Sequence, residues 1–190
     1  MQQKGFTLIE LLVVIAILAI LAVAVILTLN PAQMLKQARD SQRISDMATL
    51  KSAISLYLAD VSSPSMGSVS TCYMSFAIAS TTAGCGGRMA SGDTTIVTTT
   101  VANAGSSTGG GWIPINFASI TYGTPIGSEP RDPVNNSTYF YSYATNISSQ
   151  FEISAHMEST RYAASGTSDI ESTDGGSNPS AYEVGTNLAL

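Results

Sequence analysis

The 190 residues accommodate one domain of moderate size beside an apolar N-terminal segment. Only 11% are charged, against about 25% in an average globular chain, and Ser, Thr and Gly take their place, as on the neutral-polar surfaces of many extracellular β-rich proteins. From Val61 onward three basic residues (Arg88, Arg131, Arg161) stand against nine acidic ones, a net charge of −6, which excludes a general nucleic-acid surface because phosphate binding needs clustered Lys or Arg.

Residues 6–29 are a run of 24 in which Thr7, Glu10 and Thr28 are the only polar side chains. As a helix rising about 1.5 Å per residue the run spans about 36 Å, enough to cross a hydrocarbon core of about 30 Å with some tilt. A conventional secretory signal has a shorter apolar region followed by a small-residue cleavage site. Ala22 and Ala24 form such a pattern, so a secreted or membrane-anchored extracellular binding module, cut near Ala24, is the rival of a different class. The length of the run and Glu10 oppose it. An ionisable group in an apolar helix costs on the order of 3 kcal/mol even on the most lenient insertion scale, and a cost of that size demands a partner. Cleavage after Gly5 would create one: a positive α-amine at Phe6, four residues before Glu10, in the same chain or a neighbouring one.

Lys4-Gly5-Phe6-Thr7-Leu8-Ile9-Glu10, followed by the apolar run, resembles the class III (prepilin) signal of bacterial type IV pilins and type II secretion pseudopilins. The resemblance implies cleavage between Gly5 and Phe6 by a prepilin peptidase, methylation of the Phe6 amine, and pairing of Glu10 with a neighbouring subunit's N-terminus. It also implies a homo-oligomeric filament raised by an inner-membrane assembly platform. The chain would sit once through the inner membrane, in contact with its lipid, before assembly, and in an extracellular pilus or periplasmic pseudopilus afterwards. On this reading it is a substrate and a structural subunit, not an enzyme. Flanking charge leaves the orientation open, with Lys4 at one end and Lys36, Arg39 and Arg43 beyond the other; the resemblance places the distal part outside. Many pilins carry a proline within the apolar helix, whereas here the first is Pro31, and Asn30-Pro31 is expected to break or kink the chain at the membrane exit.

Residues 30–60 read as an amphipathic helix, with Ile44, Met47, Leu50, Ile54 and Tyr57 on one apolar stripe. Lys36, Arg39, Asp40, Arg43, Asp46 and Lys51 form a mixed-charge remainder suited to solvent or to neighbouring subunits, with Asp40 and Arg43 placed to pair at i,i+3. Ala38 to Tyr57 also resembles the first-helix region of major pseudopilins and related pilins. Residues 61–111 read as a long connection, the variable loop of pilin-like proteins, with a candidate strand at 93–101 and a glycine-rich loop after it. Cys72 and Cys85 lie within it; outside the membrane they suit a disulfide, and in a reducing compartment two free thiols.

Residues 112–190 read as an antiparallel head. Phe151, Ile153, Ala155 and Met157 alternate with Glu152, Ser154, His156 and Glu158, predicting one buried and one wet face. Further strands are expected around Tyr139, Tyr141 and Tyr143 and over 112–117 and 181–187. The turn Asp132-Pro133-Val134-Asn135-Asn136 before the tyrosine strand is similar to one in major pseudopilins. Together the periodicities predict an α+β fold: a long N-terminal helix, transmembrane in its first half and amphipathic in its second, packed on a C-terminal antiparallel sheet. The resemblance implies the same pilin-like layout.

Candidate chemistry is sparse. Asp169, Glu171 and Asp174 supply hard oxygen ligands along a Gly-containing loop, suited to calcium, and the resemblance adds a calcium site in the C-terminal part of the head. His156 is the only histidine and has no nucleophile elbow or H-x-x-x-H spacing beside it. Gly109-Gly110-Gly111 lacks the Lys-Ser/Thr and helix of a phosphate cradle. Asn135, Asn136 and Asn146 fit N-x-S/T within a polar loop, where the pattern arises by chance.

Overall fold

A computed structural model describes residues 5–76, 85, 87–89, 95–98 and 105–190. Contacts divide the chain into two units, Met1–Lys36 and Gln37–Leu190.

In the first unit, α1 covers Leu8–Leu29 and is the one described helix long and apolar enough to cross a membrane. From Leu8 to Ile26 and at Leu29 its large apolar side chains are exposed. Asn30 ends it in the left-handed region at φ 40°, a conformation Asn tolerates and one consistent with the bar on a helical residue before proline. Helix α2, Pro31–Asp60, starts at once, with Pro31 at the first helical position, where its missing N–H costs nothing. Asn30 serves this start too, accepting from the Gln33 amide at both its backbone and side-chain oxygens (2.9 and 3.3 Å).

In the second unit, β1 (Thr71–Met74), β2 (Thr95–Thr98), β3 (Tyr141–Thr145), β4 (Phe151–Ala155) and β5 (Tyr182–Gly185) form one sheet in the order β2-β1-β3-β4-β5. The β3–β4 and β4–β5 pairs are antiparallel, as expected; β1, not expected as a strand, pairs antiparallel with β3 and parallel with β2. The sheet thus begins inside the stretch read as a connection. Residues 112–117 are not a strand: they are irregular, apart from one bridge between Thr108 and Asn116, and lead into a 3-10 turn at Phe117–Ser119. Pro114 cannot donate to a ladder, and the Asn116 side chain caps the turn through the Ala118 amide. Trp112, Ile113, Ile115 and Phe117 are nonetheless fully buried.

They fill the main core with Met47, Leu50, Ala53, Ile54 and Tyr57 of α2 and with Tyr73, Tyr141, Tyr143, Phe151, Ile153, Ala155 and Val184 of the sheet. Each fully buried large side chain contributes roughly 1.5–3 kcal/mol of transfer free energy. Ile44, at the end of the predicted stripe, is half-buried. Tyrosine hydroxyls tie down the 61–70 segment: Ser65 N–H donates to Tyr57, Ser68 N–H to Tyr73, and Tyr143 donates to the Met66 carbonyl, each at 2.8 Å. Gly67 sits among them at φ 98°, where an added Cβ would lie 2.5 Å from the Pro114 ring.

The expected wet face of β4 is also covered. Glu152 and Ser154 are fully buried, because a second cluster of Cys72, Met74, Cys85, Met89, Phe140, Ala144 and Leu190 lies on the opposite face of the sheet.

Candidate functional site

Two places gather the chemistry the sequence pointed to. The first is the start of α1. Thr7 is its N-cap and Glu10 its third residue: the Glu10 N–H donates to Thr7 Oγ1 (3.3 Å), while Glu10 Oε2 accepts from the Thr7 amide (2.8 Å) and hydroxyl (2.7 Å). This reciprocal box satisfies helix-terminal donors and sets a carboxylate against the positive end of the helix dipole. In the single chain, then, Glu10 already has a local partner in Thr7, a residue the sequence reading passed over although T-x-x-E before an apolar run is a capping-box signal. Gly5 and Phe6 precede the cap, and Phe6 is exposed, which leaves the bond between them outside any folded core.

The second place is where α2 meets the head. Arg43, expected among solvent-facing charges, is fully buried with Asp40, and Asp46 is buried beside them. The guanidinium grips Asp132 through Nε (2.6 Å) and Nη2 (2.8 Å) and donates from Nη1 to Asp40 (2.7 Å), the anticipated i,i+3 pair. Burial opposes the Arg43 charge, but the hydrogen bonds and fields of Asp132 and Asp40 outweigh it and raise its pKa. Each acid has further donors. Asp132 accepts from the Val134 and Asn135 amides of the Asp-Pro turn, and Asp40 accepts from the Glu158 and Ser159 amides just after β4. Glu158 takes a two-point grip from Arg39, and Asp46 accepts from Tyr141 of β3 (2.8 Å). A forked, permanently charged donor between carboxylates that hold other donors meets the condition for tolerating buried charge. About two helical turns of α2 are thereby locked to the 132–135 turn, to β3 and to the end of β4.

The remaining candidates separate. Cys72 and Cys85 are joined by a disulfide with Cα atoms 5.8 Å apart, both fully buried. Asp169, Glu171 and Asp174 do not converge. Asp169 accepts from Ser165 and Ser172, Glu171 from the Met157 and Ala164 amides, and Asp174 from the Gly176 and Glu183 amides. Among the described residues no three His, Cys, Asp or Glu side chains could hold a metal ion together, so the three loop acids do not fit a calcium site as arranged. Hydrogen bonding, led by the Ser172 hydroxyl, holds Asp169 below its ordinary pKa, whereas burial raises that of Glu171. His156 lies just past β4 rather than on a wet strand face. Its ring is half-buried with Nδ1 against the Ser180 carbonyl, and burial, helped by the nearby Arg88 charge, pushes its pKa down to about 4. It is a neutral packing residue at physiological pH.

Comparison with characterised proteins and with solved structures finds no match. Residues 1–26 match the family model of the prokaryotic N-terminal methylation motif. With Thr7 and Glu10 capping an exposed apolar helix directly after Gly5 and Phe6, the chain carries the class III signal peptide of type IV pilins and pseudopilins.

Proposed function

We propose that the chain is the structural subunit of a type IV pilus-like filament, cut by prepilin peptidase after Gly5, methylated at Phe6 and assembled by helix packing of α1. The observation that carries this reading is the methylation motif on a helix whose described large apolar side chains are exposed. Twenty-two residues of helix at about 1.5 Å each cover the hydrocarbon thickness of a bilayer, so one exposed surface suits lipid before assembly and neighbouring helices after it. In the assembled state Glu10 would exchange or share its Thr7 partners with the Phe6 amine of an adjacent subunit, which offers the full opposite charge that the capping box lacks. A type II secretion pseudopilin is the second reading, favoured by the Asp132-Pro133 turn, which resembles that of major pseudopilins and here receives the Arg43 guanidinium.

The test is Glu10→Ala in the native host. Membrane insertion should be unchanged and recovery of subunits in sheared surface filaments should fall at least tenfold; filament yield equal to the unaltered chain would refute the assembly role. Sheared filaments dominated by this subunit support the pilus, whereas confinement of assembled subunits to the periplasm supports the pseudopilus.

A further inference from the structure

The buried acids Glu152 and Glu183 have no part in the lock or the signal. They come from adjacent antiparallel strands, where Ser154 pairs with Glu183 and Glu152 with Gly185, so they are diagonal neighbours on the same face of the sheet. Both are buried, at 0% and 1% exposure. One oxygen of each is occupied, as Glu152 Oε2 accepts from the Leu190 amide and Glu183 Oε2 from the Asn178 amide, both at 2.9 Å. The other oxygen, Oε1 in both, is buried without a donor, and the two carboxyl groups lie within hydrogen-bonding reach of each other. The space is closed: a Cβ at Gly176 would fall 1.9 Å from Glu183 Oε2.

Among the described residues, the other elements on this face bring no countercharge to the pair. Strand β3 supplies Ala144 and Ser142, whose hydroxyl bonds Ser154 (2.6 Å), and β1 supplies Cys72 and Met74. Asp174, in the loop before β5, accepts the Glu183 amide and adds negative field. Arg88 spends its guanidinium on the Phe140 and Thr138 carbonyls. Two ionised carboxylates here would repel in a poorly screened interior and leave two acceptors orphaned. A single proton removes both penalties, because an O–H on one Glu donates to the free oxygen of the other.

We propose that Glu152 and Glu183 share one proton, forming an acid–carboxylate clasp that holds β5 and Leu190 onto β4 and loosens as pH rises. The pair lies in the head and stands apart from the filament reading. Its sign follows from the acid form being the native one. Burial first, and the Glu183 hydrogen bond second, push the Glu152 pKa well above its ordinary 4.5. Stabilisation by the clasp is therefore complete below the ordinary value and is lost as pH rises through the raised one. Leu190 belongs to the cluster over the Cys72–Cys85 disulfide, so opening the clasp uncovers that face.

The measurement is carbon-13 NMR of the full chain in detergent micelles with carboxyl-labelled glutamate, together with thermal unfolding as a function of pH. One of the two carboxyls should be protonated at neutral pH, with the proton lost in the alkaline range and the unfolding midpoint falling by several degrees over that range. In Glu183→Gln an amide N–H takes the place of the shared proton, so that part of the fall should vanish; in Glu129→Gln, which alters a buried acid that accepts from the Ile113 amide elsewhere in the head, it should persist. Two ionised carboxyls at neutral pH in the unaltered chain would overturn the proposal, and this readout needs no variant to fold. So would a full pH slope retained in both Glu152→Gln and Glu183→Gln, or a midpoint lowered by a chelator, which would put a cation where the proton is placed.

Discussion

Helices α1 and α2 follow one another with only Asn30 between them, yet they invert each other's chemistry. In α1 the apolar side chains are exposed, and the one ionisable group, Glu10, is bound to its own helix start. In α2 it is Asp40, Arg43 and Asp46 that are buried along with the apolar stripe, matched group for group by the head. The usual expectation of apolar inside and charged outside therefore fails in α1 for its apolar side chains and in α2 for these three charges alone. The contrast teaches what each helix is built for: α2 packs into the head, and α1 is an exposed helix long and apolar enough to cross a membrane.

The contrast breaks most visibly at Arg43. Arg43→Ala strands Asp40 and Asp132 in the interior and should destabilise the head by about 3–5 kcal/mol, read from urea unfolding in micelles, while protease protection of the membrane segment stays unchanged. Loss of that protection would mean the two helices are not energetically separate. Replacing Arg43, Asp40 and Asp132 together by apolar residues of similar size should recover much of the loss. Next in size is the covalent staple. Cys72 and Cys85 are 13 residues apart, so Cys72→Ser with Cys85→Ser should cost about 3 kcal/mol in the head and nothing in α1. Smallest is Thr7→Ala, which removes the N-cap hydroxyl. It should speed amide exchange in the first turn of α1 and leave head unfolding untouched; a shifted head midpoint would tie the signal to the fold of the head.

The N-terminal signal, α1, the apolar face of α2 and strands β3 to β5 were legible in the sequence, because each rests on a local pattern of length, period or motif. What escaped depends on distant cover. Period 2 in β4 marked Glu152 and Ser154 as alternate positions but could not say that Cys72, Phe140 and Leu190 would roof that face. Strand β1 is buried at all four positions and so shows no alternation. Its parallel pairing with β2 is long-range information that neither strand carries alone. Arg43 looked like a solvent charge because its partner Asp132 lies 89 residues away. The acids 169, 171 and 174 sit together in sequence, yet backbone amides draw each to a different place. The Asn30-Pro31 break, in contrast, was readable, since steric exclusion before proline and Asn's tolerance of a positive φ are properties of those two residues alone.

The central claim is that α1 is a processed assembly helix and not a cleaved export signal or a plain anchor, and mass spectrometry of the N-terminus of the protein taken from its native membrane tests it most directly. The account predicts a chain beginning at N-methylated Phe6, with Glu10 as its fifth residue; a chain beginning near Val25, or one still beginning at Met1, would contradict it.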